Sequence, residues 1–277
     1  MKIDSHQHFW IYKKEEYSWM CGGMETIMKD HMPPQLDEEL RKAGFSGSVA
    51  VQARQSIEET EWLLKLADRY DIIKGVVGWV DLQSSNLEEQ LKKYSKHPRF
   101  VGVRHVVQDE PESDFILGKN FLQGIATLKQ FDLAYDILIF PRHLTHAIKF
   151  VEKFPEQTFI LDHIAKPYIR DKKISPWKED IEQLAAHPNV YCKVSGMVTE
   201  TYWNGWKPED FYPYLDVIFK SFGTNRVMIG SDWPVCKLAG NYSQVLSIVI
   251  DYMKDFPEKE KARVLGENAI KAYKLKI

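Results

Sequence analysis

The sequence predicts a single (β/α)8 barrel spanning residues 1–277. Short β-branched runs recur eight times along the whole length, and a polar stretch with helical spacing follows each of them. Strand alternating with helix implies a parallel sheet with right-handed crossovers. Eight repeats select a closed barrel over an open doubly wound sheet, whose dinucleotide fingerprint is absent here.

Taken in order, the first strand is expected over residues 2–8 and ends in His6-Gln7-His8. The segment 9–34 that follows is too long for an ordinary connection and is rich in Trp, Tyr, Met and Gly, so it is expected to be a lid-like loop over the site. Leu36 and Leu40 open a first amphipathic helix over 36–43, and Val49-Ala50-Val51 marks the second strand at 48–54. Helix 58–70 leads to strand 73–80, which carries Val76-Val77 and ends at Trp79. Helix 86–97 precedes strand 100–106, and helix 120–130 precedes strand 134–140. Helix 143–154 is followed by strand 158–163, helix 177–187 by strand 190–195, and helix 208–222 by strand 227–231, with more helix within 244–273.

Composition narrows the function. With 44% hydrophobic and 27% charged residues, the chain reads as an ordinary globular protein. Its formal net charge is -2 and it has no long basic run, which excludes the electrostatic footprint of a nucleic-acid or anionic-membrane binder. No secretory signal or bilayer-spanning stretch is visible. The three cysteines, Cys21, Cys192 and Cys236, are unevenly spaced without a CxxC, so neither a disulfide framework nor a structural zinc site is expected. A cytoplasmic enzyme acting on a small molecule is the expectation, with homo-oligomerisation left open.

Barrel enzymes build their sites at the C-terminal ends of the strands. Residues two apart on a strand share a face, so His6 and His8 should project together, able to bind a divalent metal or to polarise a substrate oxygen. The other strand ends supply Gln52 and Arg54, Trp79, Arg104-His105, His163 with Lys166, Lys193-Val194-Ser195-Gly196, and Ser231-Asp232-Trp233-Pro234. Asp232 can ligate a metal, take a proton from water, or pair with the nearby arginines. His163 is the natural third imidazole; His105 faces away from Arg104. Arg54 and Arg104 suit a substrate carboxylate or a developing oxyanion. Gly102 and Gly230 share faces with Arg104 and Asp232, and are expected to leave room for a ligand. Trp10, Trp79 and Trp233 are expected to stack on a sugar-like ring, with Gln52 and Lys166 meeting its hydroxyls.

The pairing of His6-Gln7-His8 with Ser231-Asp232-Trp233-Pro234 resembles the amidohydrolase superfamily. Val51-Gln52-Ala53 with Glu58-Glu59-Thr60-Glu61, Gly78-Trp79-Val80-Asp81, Gly102-Val103-Arg104-His105, Asp162-His163-Ile164-Ala165-Lys166-Pro167 and Lys193-Val194-Ser195-Gly196 are similar to its amidohydrolase-related branch. That branch holds sugar lactonases of the L-fuconolactonase, L-rhamnonolactonase and sulfomuconolactonase kinds, and pyrone-dicarboxylate lactonases. The resemblance implies His6 and His8 as metal ligands or polarising groups, His163 as the strand-6 histidine, and Asp232 as the aspartate that activates water. Strand 4 lacks the lysine that bridges two metals in binuclear members. The implied cofactor is therefore one divalent ion on His6, His8 and Asp232, with His163 as a further candidate ligand. Zinc suits such ligands best, and some members of the branch work without metal. The implied activity is opening of a small lactone, with Asp232, His163 and Arg104 catalytic. The alternatives are a metal-dependent decarboxylase on the same barrel and a non-catalytic binding barrel.

Overall fold

The computed structural model describes residues 1–277 and forms one eight-stranded parallel sheet in the order β1 to β8. The strands are β1 (Ile3–Gln7), β2 (Gly47–Val51), β3 (Ile73–Gly78), β4 (Phe100–His105), β5 (Ala134–Ile137), β6 (Phe159–Leu161), β7 (Val190–Val194) and β8 (Val227–Ile229). All their residues are buried, as a parallel sheet sheathed by helices requires. Closure comes from just beyond β8, where Asp232 N–H donates to the His6 carbonyl at 2.8 Å and His8 N–H donates to the Trp233 carbonyl at 2.7 Å. The last strand's loop is thereby laced to the first strand's histidines.

The outer layer comprises α1 (Pro33–Ala43), α2 (Ile57–Arg69), α3 (Leu87–Tyr94), α4 (Lys119–Leu128), α5 (Leu144–Glu152), α6 (Trp177–Ala185), α7 (Tyr212–Phe222) and α8 (Tyr242–Tyr252). Their starts are chemically marked: Pro33 and Pro34 pre-set the first turn of α1, Ser56 Oγ caps α2 by accepting from Glu59 N–H, and Asn241 caps α8 reciprocally with Gln244. Beyond α8 the expected helix is broken into α9 (Glu258–Ala262), a π-helical turn at Arg263–Glu267, and α10 (Asn268–Ala272). Tyr273 and Leu275, just after α10, join Val49, Val77 and Ile160 in a core that fills the barrel's N-terminal end. The much larger core lies between sheet and helices. No helix is long and apolar enough to cross a membrane.

Observed strands stop earlier than the sequence expects at several C-terminal ends. Arg54 and His163 lie beyond the ends of β2 and β6 and face the open end of the barrel, while Gln52, one residue past β2, still donates its N–H to the Val77 carbonyl at 2.8 Å. The segment after β1 is a packed unit: Trp10, Tyr17, Met20 and Ile27 form their own buried cluster, and Trp10 bridges backbone to His31. It contributes Trp10, Glu16, Ser18 and Trp19 to the wall of the cavity above the barrel.

Candidate active site

At the C-terminal end of the barrel lies a cavity of about 750 Å³, and His8, Arg104, His163, Lys166 and Asp232 face it. His6 and His8 extend from β1 as alternation demands, and their Nε2 atoms lie 3.2 Å apart. His8 is held by a 2.8 Å bond between Nδ1 and the Val51 carbonyl; a carbonyl only accepts, so His8 carries its proton on Nδ1 and turns the Nε2 lone pair inward. Asp232 Oδ1 is 3.4 Å from His8 Nε2 and 3.9 Å from His6 Nε2. Two imidazoles and a carboxylate converging this closely make a donor set that fits a divalent metal ion. His6, Asp162 and His163 form a second convergent group, but Asp162 already pairs with Arg104 at 2.9 Å and Lys193 at 2.9 Å.

Asp232 adopts a left-handed backbone, φ 57°, which an aspartate tolerates better than most residues. Its loop is anchored from beneath by Asp4, whose carboxylate accepts from Ser231 N–H at 2.9 Å, Ser231 Oγ–H at 2.6 Å and Tyr242 O–H at 3.0 Å. Burial nonetheless pushes Asp4 up to about 6. Burial also opposes ionisation of Asp232, but His163, His8 and Lys166 outweigh it and leave that carboxyl below the ordinary range.

His163 opens a run of four left-handed non-glycine residues, His163, Ile164, Ala165 and Lys166, with φ between 49° and 60°. Such a turn costs roughly 1–2 kcal/mol per residue. Trp177 Nε1–H, bonded to the Ile164 carbonyl at 2.8 Å, and the buried Ile164 and Ala165 side chains hold it in place. It turns both His163 and Lys166 into the cavity. His163 Nδ1 lies 2.9 Å from Ser195 Oγ, and burial lowers its pKa to about 4, so the ring is neutral at physiological pH. Gly196 makes room for that ring: its φ is +61°, and a Cβ there would lie 2.5 Å from His163 Nδ1.

Beneath the histidines runs a buried charged network. Arg104 donates to Asp162 at 2.9 Å and to the carbonyl and side-chain oxygens of Gln52 at 2.5 and 3.2 Å. Lys193, fully buried on β7, lies 2.5 Å from Asp136, 2.9 Å from Asp162 and 3.0 Å from His6 Nδ1. Burial disfavours the Asp162 anion, but Lys193 and Arg104 hold its carboxyl well below the usual range. Burial keeps His6 well below 6.5 and hence neutral, with Asp162 opposing and Lys193 reinforcing.

Several expected contributors stand elsewhere. Gln52 is wholly buried behind Arg104, since it must satisfy that guanidinium, and does not line the cavity. Trp79 is absent from the cavity wall and directs its indole N–H to His105 Nδ1 at 3.4 Å; Trp233 is buried edge-on against His31, 5.2 Å between ring centroids. Trp10 borders the cavity but is itself fully buried, and the exposed ring beside it is the unanticipated Trp19. Arg54 lines it but is paired with Glu16 and Glu59. The glycines open no ligand space: a Cβ on Gly230 would meet His6 Cβ at 2.8 Å, and one on Gly102 the Ala134 carbonyl at 3.1 Å, so they admit protein packing. Sequence reasoning placed Lys193 at a strand end without giving it a role and missed Asp136. A lysine and an aspartate in the middle of buried strands demand each other, and that signal was present.

A family model described as Amidohydrolase matches residues 3–275. An L-fucono-1,5-lactonase of Burkholderia multivorans (strain ATCC 17616 / 249) is 36% identical over 286 residues, covering 99% of this chain and 96% of that protein. An L-rhamnono-gamma-lactonase of Scheffersomyces stipitis is 23% identical over 236 residues, covering 74% and 70% respectively. The crystal structure of a Burkholderia multivorans amidohydrolase with bound zinc superposes with a TM-score of 0.96 at 36% identity, covering 100% of both chains.

Proposed function

The chain belongs to the amidohydrolase family, and from that premise we propose that it is a single-domain hydrolase opening the ring of a sugar lactone. The observation that carries this reading is Asp232, an ionised carboxylate held against His8 beside a neutral His163, at the floor of a cavity large enough for a monosaccharide.

A water held by Asp232 loses its proton to the carboxylate as its oxygen attacks the lactone carbonyl. With the Ser195 hydroxyl donating to Nδ1, His163 carries its proton on Nε2 and offers it to the developing oxyanion, with Lys166 as the nearby charge. Protonated Asp232 then returns the proton to the ring oxygen as the acyl C–O bond breaks, giving a hydroxy acid. Trp19, exposed at the cavity wall, presents a face on which the C–H side of a sugar ring can stack, with Trp10 buried behind it, and Arg104 supports the site through Asp162 and Gln52. A single divalent ion, zinc by ligand preference, would be held by His6, His8 and Asp232, and when bound it polarises oxygen ligands. The commitment of Asp162 to Arg104 and Lys193 supports one ion rather than two.

The decarboxylase reading needs an arginine free to clamp a substrate carboxylate. Both candidates are already engaged, Arg54 by Glu16 and Glu59, Arg104 by Asp162. The test is a panel of aldonolactones, L-fucono-1,5-lactone first, assayed with a pH indicator before and after chelation. Acid release without carbon dioxide is expected; inertness toward every lactone, or decarboxylation of a carboxylated analogue, would overturn the reading.

A further inference from the structure

His6 has two possible proton positions, and its surroundings choose between them. Placing the proton on Nδ1 would aim it at Asp162 Oδ1, 3.3 Å away, and leave Nε2 to accept from Arg104 Nη1 at 3.4 Å. Lys193 then becomes an obstacle: its ammonium is 3.0 Å from the same Nδ1, so two donors would face each other. An ammonium has three N–H groups and no acceptor. One donates to Asp136 at 2.5 Å and another has His6 Nδ1 in reach at 3.0 Å, while Asp162 Oδ1 lies 2.9 Å from the ammonium as an ion pair. Placing the His6 proton on Nε2 removes that clash and gives a continuous chain of donors from Lys193 to the Val51 carbonyl. Lys193 donates to Nδ1, His6 Nε2–H donates to His8 Nε2 at 3.2 Å, and His8 Nδ1–H donates to the Val51 carbonyl at 2.8 Å. Arg104 Nη1 keeps its bond to Asp162 at 2.9 Å.

We propose that Lys193 is a positioning residue that fixes His6 as the Nε2–H tautomer, making His6 a hydrogen-bond donor to His8 and the weakest of the three metal-ligating groups. A metal on His6, His8 and Asp232 needs the Nε2 lone pair, so the His6 proton must move to Nδ1, against the Lys193 N–H. Lys193 thus sets the balance between the two uses of one imidazole: a hydrogen-bond donor to His8, or an ion ligand. This inference requires nothing about the substrate.

Two measurements test it, neither of which uses turnover. In metal-free protein with 15N-labelled histidine, the His6 resonances should show Nε2 protonated and Nδ1 bare, with a cross-peak pattern opposite to that of His8. The reverse pattern in the wild type would overturn the assignment. The second measurement is zinc affinity, read by competition with a chromophoric chelator. Lys193→Met combined with Asp136→Asn removes one charge of each sign, so the buried network stays balanced. This pair should bind zinc at least tenfold more tightly than wild type. Equal or weaker binding by the folded variant would overturn the role of Lys193, and should the variant not fold, the wild-type resonances decide alone.

Discussion

Gly196→Ala is a one-carbon change whose effect follows from two numbers. The residue sits at φ +61°, where alanine loses about 1–2 kcal/mol relative to glycine. Its new Cβ would lie 2.5 Å from His163 Nδ1 and 2.7 Å from Cγ, so the ring must retreat by roughly 1 Å to reach an ordinary carbon contact distance. The ring cannot retreat freely, because the His6 ring stands 4.4 Å away between centroids. The 2.9 Å bond to Ser195 is the first loss, worth about 0.5–1.5 kcal/mol. Together these give a destabilisation of about 2–3 kcal/mol, or roughly 5–10 °C in Tm for a chain of this size. With His163 in the role proposed above, displacing its imidazole by about 1 Å should also cut kcat by about 10². Gly44→Ala is the control: it sits at φ +72° in the C-cap of α1 with only the Lys2 ammonium at 4.0 Å, so it should lose stability through the backbone and keep full turnover. Thermal unfolding and lactone hydrolysis measured on both variants decide the matter. Wild-type turnover in Gly196→Ala would refute the fixed placement of His163, and equal turnover losses in both would refute the steric argument.

Asp232→Asn should fold normally, since asparagine tolerates the left-handed backbone as well as aspartate does, and should lower kcat by about 10² or more. Because the wild-type carboxyl lies below its ordinary range, it stays ionised as pH falls toward 4, and the acid limb of kcat/KM should lie below that; a limb near pH 6 would assign the base elsewhere. Arg104→Met should cost about 3–5 kcal/mol in a urea unfolding curve, because it strands buried Asp162 and the Gln52 oxygens, and a loss under 1 kcal/mol would mean the network relaxes without it.

The sequence carried the architecture because barrels repeat: every expected strand and helix has its counterpart, and the polar residues at strand ends announced where to look. His6, His8, His163, Lys166, Arg104 and Asp232 were legible for that reason, each lying at or just beyond such an end. What alternation could not resolve is which of two strand-end groups faces inward and which props its neighbour. Gln52 and Arg54 flank the same turn, yet one braces Arg104 from behind and the other meets Glu16. Tryptophans misled because an indole serves equally as a sugar platform and as packing: Trp79 aims its N–H at His105, and Trp233 is buried against His31 and Phe9. The left-handed turn at 163–166 has no sequence signal, since Ile164 and Ala165 are residues that ordinarily avoid it. Tertiary contacts, the Trp177 bond among them, impose it.

The lacing of β8 to β1 also fixes when, along the folding route, the site can exist. Asp4 and Ser231, hydrogen-bonded at 2.9 Å, are 227 positions apart in the chain. Joining ends that far apart costs about 5 kcal/mol of chain entropy, and nothing local returns it before the other seven strands are in place. Asp232 therefore meets His6 and His8 last, in the same event that seals the cylinder. A polypeptide still emerging from the ribosome carries the imidazoles for most of its synthesis without the carboxylate that gives them a task. Activity regained during refolding should accordingly lag helix formation and coincide with the slowest, most non-local contacts.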